Sequence, residues 1–235
     1  MRTTLFAGIA LAAALAACGG KTLKEFQPSA TDKQNAAATI DDTKSLANLR
    51  TNSQDGAALS AFSEIQAGAN QLLGSAQVAK GLSAEQSGLR SYENCVTEAG
   101  GTITYNNCTD GSQTINGTIS ISGDTVSVDL RIGYSSGGYS GDVTYQGSVT
   151  ITASSVNGSL SFDYEMASTT YSVDISYEAI GLDAAGCAIS GSMAIDQSVK
   201  IAGVGSLGGV TGGSTGTSFR VDFGPACGDM KMFGG

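Results

Sequence analysis

The chain of 235 residues has no histidine, no tryptophan and only two prolines. The missing histidine removes the commonest general base and metal-ligating side chain, and with it the Ser-His and Cys-His pairs of nucleophilic catalysis. The missing tryptophan removes the largest aromatic surface on which a sugar ring stacks. Positive charge is also scarce: 12 Lys and Arg stand against 21 Asp and Glu, a net charge of −9. The basic residues are scattered and form no stripe, which argues against nucleic acid or anionic headgroups as partners. The five cysteines contain no CxxC pair, so the spacing of a zinc ribbon or finger is absent. The longest apolar stretch, residues 5–17, is too short to cross a bilayer as a helix, which takes about 20 residues.

That stretch follows Met1-Arg2-Thr3-Thr4, and a basic start, a short apolar core and small residues at its end mark a secretory signal peptide. The end reads Leu15-Ala16-Ala17-Cys18-Gly19. Leu15-Ala16-Ala17-Cys18 resembles the lipobox of bacterial lipoproteins, and the resemblance covers the leader only. It implies that residues 1–17 are removed and that Cys18 is the acylated first residue, with palmitate among its chains. The membrane is then a partner through the N-terminal lipid. One short acyl chain holds only marginally, whereas two or three anchor stably. Gly19 rather than Asp follows the cysteine. By resemblance to enterobacterial lipoprotein sorting, this implies the outer membrane, on its periplasmic face or at the cell surface. Cleavage leaves 218 residues, with 11 basic and 21 acidic side chains, enough for one domain.

Cys95, Cys108, Cys187 and Cys227 remain, an even number that reads as two disulfides in an exported chain. Three connectivities are possible. We expect Cys95–Cys108 and Cys187–Cys227, because each couples strands that can be neighbours.

Residues 18–32 read as the lipidated cysteine and a flexible tether, and 33–90 as a helical segment. Between 57 and 78, Leu59, Phe62, Ile65, Ala69, Leu72, Leu73 and Ala76 recur at steps of three and four, the period of one helical face. A weaker helix over 32–49 carries Ile40, Leu46 and Leu49. Within 91–235 the apolar period becomes two. Val126, Val128, Leu130 and Ile132 alternate with Thr125, Ser127, Asp129 and Arg131, and five later segments follow the same rule. Such alternation marks antiparallel strands with one buried and one wet face. Ser122-Gly123-Asp124, Asn157-Gly158 and Ala167-Ser168 read as hairpin turns. Residues 203–216 hold seven glycines and read as a loop.

Motifs that would carry chemistry lack their context. Gly133-Tyr134-Ser135-Ser136-Gly137 fits GxSxG, but that nucleophile needs a strand-to-helix turn and a histidine. Gly203, Gly205 and Gly208 fit GxGxxG, but no helix follows to meet a pyrophosphate. Asp129, Asp163, Glu165, Asp174 and Glu178 are candidates for paired-carboxylate glycoside hydrolysis, yet they fall mostly on the wet face, where carboxylates are usually just solvated. Asp110, Asp124 and Asp142 offer oxygen ligands without a calcium-binding loop. We therefore expect no catalytic residues, no metal and no cofactor.

The expected fold is mainly β. An N-terminal helical segment precedes an antiparallel up-and-down meander of about eight strands, forming a curved sheet or barrel-like domain; a β-sandwich is the alternative. The expected role is a membrane-anchored envelope lipoprotein with a structural or binding function. One alternative is a carrier of a lipid or hydrophobic ligand. Its ligand face would comprise Val128, Leu130, Val149, Ile151, Leu160, Phe162, Tyr164, Val173 and Ile175. In architecture this resembles the periplasmic lipoprotein carriers, which pair a half-barrel with covering helices. The other alternative is a surface adhesin or protein-interaction module that uses the hydroxyl-rich face or the glycine-rich loops, with an envelope protein as partner.

Overall fold

A computed structural model describes residues 22–50, 57–73, 95–109, 113–136, 139–166, 169–201 and 214–235. A short strand β1 (Lys24–Phe26) leads into helix α1 (Ala30–Ser45), a 3-10 turn (Leu46–Arg50) and helix α2 (Ala57–Leu72). The strands follow as β2 (Val96–Ala99), β3 (Thr102–Thr109), β4 (Gln113–Ser122), β5 (Thr125–Ser136), β6 (Tyr139–Ile151), β7 (Ser155–Met166), β8 (Thr169–Leu182), β9 (Ala188–Ile201), β10 (Ser214–Phe223) and β11 (Met230–Gly234). All belong to one antiparallel sheet, in which β2 to β11 lie in chain order and β1 adds beyond β11. The first and last strands, β2 and β1, do not pair, so the sheet stays open. This is the expected mainly-β meander with an N-terminal helical segment; the sandwich alternative gives way to one sheet.

The strand number is eleven rather than eight, and part of the expected tether is structured. Lys24, Glu25 and Phe26 pair with Gly234, Phe233 and Met232, and the Phe26 ring lies 5.9 Å from that of Phe219. Ser29 caps α1. Its hydroxyl accepts from the Asp32 N–H while the Asp32 carboxylate accepts from the Ser29 N–H, two donors of the helix end satisfied reciprocally.

The inner face of the sheet carries the core. Alternate residues of β5 to β10 are buried, from Val126, Val128, Leu130 and Ile132 to Phe219, Val221 and Phe223. The helices lie on that face. Phe62, Ile65, Ala69 and Leu72 of α2 are buried, as are Ile40, Leu46 and Leu49 before it. Hydrogen bonds join the layers: Thr43 Oγ1 meets the Tyr177 hydroxyl at 2.7 Å, and Tyr145 donates to Gln66 Oε1 at 3.3 Å. Burial pushes the phenols of Tyr145 and Tyr177 well above their ordinary range, so both stay neutral. Gly68 sits in α2 despite its poor helix propensity, because a Cβ there would come 2.6 Å from Thr39 Oγ1 on α1. Of the apolar face expected over 57–78, the side chain of Leu59 and residue Ala76 lie outside the described residues. So do Ala167-Ser168 and residues 203–213 of the expected glycine loop.

Asn157-Gly158 is not a turn. The chain reverses at 152–154, where the Thr152 N–H donates to the Ser155 carbonyl at 2.9 Å, and Asn157-Gly158 lies inside β7. It faces a β-bulge, with Glu178 and Ala179 of β8 opposite the single Asn157. Ala179 has φ +49°, and its N–H donates to Asn157 Oδ1 at 3.2 Å. The arrangement recurs at Asn116-Gly117, opposite Asn106 and Asn107 of β3. There the Asn107 N–H, with φ +50°, donates to Asn116 Oδ1 at 2.9 Å. In both, an asparagine holds the extra residue's N–H, and the next glycine lets the backbone of the strand on the other side, β6 or β5, approach. Such bulges raise the local twist and bend the sheet.

Candidate functional site

The four cysteines pair as the strand order requires. Cys95–Cys108 joins the start of β2 to β3, and Cys187–Cys227 joins the β8–β9 turn to the β10–β11 turn, with Cα–Cα distances of 5.3 and 5.6 Å. The second bridge forms part of a cleft of about 460 Å³ between α1 and those two turns.

Each wall of the cleft is fixed. Lys44, in the last turn of α1, donates from Nζ to the Gly186 carbonyl at 2.8 Å and pairs with Asp41 at 2.9 Å. Asp183 Oδ1 accepts from the N–H groups of Ala185 and Cys187, both at 2.9 Å. The β10–β11 turn closes through a 2.7 Å bond from the Gly224 N–H to the Asp229 carbonyl. Ile40 and Phe223 are buried beneath, with Met230 and Ala188 half-buried beside them. The space exists because Ala37, Ala185, Ala188, Gly186 and Gly228 line it, and no long side chain from these positions fills it. At the mouth, Lys33, Gln34 and Asp41 are exposed. Asp41 is engaged by Lys44, whereas Lys33 has no carboxylate partner among the described residues.

The ligand face expected from the strand pattern lies elsewhere. Val128, Leu130, Val149, Ile151, Leu160, Phe162, Val173 and Ile175 are buried in the core cluster that α1 and α2 share, and Tyr164 is half-buried against it. None of the nine lines the cleft. Tyr164 belongs to a ring row at the other end of the inner face, stacked on Tyr134 at 5.7 Å and tilted against Tyr171 at 6.3 Å.

The outer face is the polar one. Ser120, Ser127, Ser148, Ser159 and Ser176 pair in register across β4 to β8 as a hydroxyl row. The candidate carboxylates Asp129, Glu165, Asp174 and Glu178 are exposed there and Asp163 is half-buried. Asp129 accepts from Gln146 at 3.3 Å and Glu178 from Ser192 at 3.0 Å, so each serves a cross-strand bond. Asp174 lies directly opposite Asp196, beside a depression of about 200 Å³. Asp142 pairs with Arg131 at 2.8 Å, which raises the guanidinium pKa further. Asp124 is exposed in the β4–β5 turn, and Asp110 lies outside the described residues. Gly133 to Ser136 form the end of β5 with no helix after it, and Gly137 lies outside the described residues, as do Gly203, Gly205, Gly208 and Cys18. Among the described residues no three acidic, histidine or cysteine side chains converge as a metal site would require, and no helix is long and apolar enough to cross a membrane.

Sequence periodicity did not reveal the cleft, because its residues come from a helix, two turns and two strand ends far apart in the chain. The one signal that pointed there was the expected Cys187–Cys227 pairing, which brings the two turns together. Comparison with protein-family models, curated proteins and solved structures finds no match to this chain.

Proposed function

We propose that the chain is a lipoprotein of a bacterial cell envelope, exported by its leader and anchored by acyl groups on Cys18, with a β domain that binds or scaffolds. The observation that carries the reading is the cysteine pairing. Five cysteines are present, four are tied into two disulfides, and the fifth is Cys18 of the lipobox. Disulfides belong to oxidising compartments such as the periplasm or cell surface, which agrees with the leader. The outer membrane is the proposed address, following Gly19.

The test is metabolic labelling in a bacterial host with a clickable palmitate analogue. The parent chain incorporates label and fractionates with membranes; Cys18→Ser loses the label and moves to the soluble fraction. Equal labelling of both chains, or a parent chain without label, refutes the anchor.

A second reading, carriage of a hydrophobic ligand, is favoured by the preformed apolar cleft rather than by the buried sheet face.

A further inference from the structure

We infer that the cleft between α1 and the disulfide-linked turns binds a single-chain amphiphile with an anionic head, of the fatty-acid class. The acyl chain lies over Ile40, Phe223 and Met230, and the carboxylate meets Lys33. The inference deepens the binding role proposed above and is independent of acylation at Cys18.

Three observations converge on it. The volume, about 460 Å³, falls in the range of small-molecule sites, which are mostly apolar with few polar groups. The walls are held before any ligand arrives, by the Cys187–Cys227 bridge, the Lys44–Gly186 bond and the Asp183 turn. Preformed walls reduce the ordering that binding requires. The third observation is charge. In a chain of net charge −9, the cation at the mouth is unpaired among the described residues, while the neighbouring Asp41 is neutralised by Lys44. An apolar floor with one available ammonium at its rim matches an apolar tail ending in one negative charge. A cationic amphiphile would meet Lys33 with like charge, and a neutral one would leave it unused.

The test uses the mature chain with Cys18→Ser, titrated calorimetrically with octanoate, decanoate and dodecanoate. Dodecanoate saturates at one per chain. Each added pair of CH₂ groups raises affinity roughly ten-fold while it is still buried. Lys33→Gln weakens dodecanoate roughly two- to five-fold, the size of an exposed charge pair, and removes the salt dependence of the parent. Ala37→Trp fills the cleft from an exposed helix position and abolishes binding, its fold checked by a cooperative melt with a midpoint no lower than the parent's. The inference is overturned if dodecanoate fails to saturate up to its solubility limit. It also falls if the folded Ala37→Trp chain binds with parent affinity, or if dodecyltrimethylammonium binds as tightly as dodecanoate. Palmitate labelling at Cys18 is read separately, so failure here and failure of the anchor are distinguishable.

Discussion

Replacing Gly158 with alanine tests whether close backbone approach at the Asn-Gly bulges holds the sheet. Gly158 has φ +133°, and a Cβ there would lie 2.2 Å from the Ser148 carbonyl oxygen and 2.9 Å from Val149 Cα. Both neighbours are backbone of β6, so neither rotates away. Two terms follow. The backbone conformation itself is unfavourable for alanine by roughly 1–3 kcal/mol, and forcing apart packed strands adds about 1–3 kcal/mol. The sum is centred near ~4 kcal/mol, a large share of the 5–15 kcal/mol typical of a domain. Gly123 is the control. It also has positive φ, +55°, but a Cβ there meets nothing within 4 Å. Gly123→Ala therefore costs only the left-handed conformation, roughly 1–2 kcal/mol. Urea unfolding with both disulfides intact, followed by far-UV circular dichroism, reads the difference. For a slope of ~2 kcal/mol/M, Gly158→Ala lowers the midpoint by roughly 2 M and Gly123→Ala by about 0.5–1 M. Equal shifts in the two variants refute the reasoning, because they leave the approach of β6 and β7 without an energetic role.

Three further outcomes follow from contacts described above. Thr43→Val strands the buried Tyr177 hydroxyl and destabilises by about 1–3 kcal/mol; adding Tyr177→Phe restores part of the loss, so a double-mutant cycle by urea unfolding gives a positive coupling. Asp42 has its pKa raised, first by burial and then by the charges of Glu64 and Asp41. A carboxyl raised in the folded state opposes folding above its unfolded pKa and costs nothing below it. Asp42→Asn is therefore stabilising at pH 7, and the gain fades as pH falls through the carboxylate range; a gain that persists at pH 3 refutes the assignment. By the chain-entropy model, Cys95→Ala/Cys108→Ala loses about 3 kcal/mol and Cys187→Ala/Cys227→Ala about 4 kcal/mol, for sequence separations of 13 and 40. Thermal melts of each paired variant check the order.

What was legible in the sequence follows the strength of local periodicity. Strands such as β5 and β8 bury alternate residues, so their pattern names both the strand and its inner face. The helix over Phe62, Ile65, Ala69 and Leu72 was legible for the same reason at a period near 3.6. Strands β1, β2 and β11 were missed because three to five residues span too few repeats to show alternation. Asn157-Gly158 misled because the dipeptide signals a left-handed or unusual backbone, which a bulge requires as much as a hairpin. Alternation reports which side chains leave water, not whether a ligand or a helix takes its place, so the nine face residues were legible as apolar while their covering by α1 and α2 was not. The cleft is set by where α1 lands, and that depends on contacts more than a hundred residues apart.

The landing of α1 also explains why a cleft survives beside a packed core. Of its 16 residues, Ile40 is the only buried large apolar side chain; its other buried residues are Ala36, Thr39 and Thr43. Burial of one isoleucine contributes roughly 1.5–3 kcal/mol and, being non-directional, does not choose a position on the sheet. The directional contacts do. Thr43 bonds to Tyr177, Lys44 to Gly186, and Thr39 fits against Gly68 of α2. All three lie in the middle or last turns of α1, so that part of the helix is pinned. The first turns, where Lys33, Gln34 and Ala37 face the cleft, are anchored by the Ser29 cap rather than by packing. A helix with a continuous apolar stripe would settle its whole length into the sheet and close the space. Ala37→Leu supplies the missing apolar contact, and the helix end gains burial against Phe223 and Met230. Melting should shift upward by a few degrees, since about 1 kcal/mol moves a domain of this size by roughly 2–4 °C. A neutral or lower midpoint would mean that a deficit of apolar side chains on α1 is not what sets the cleft.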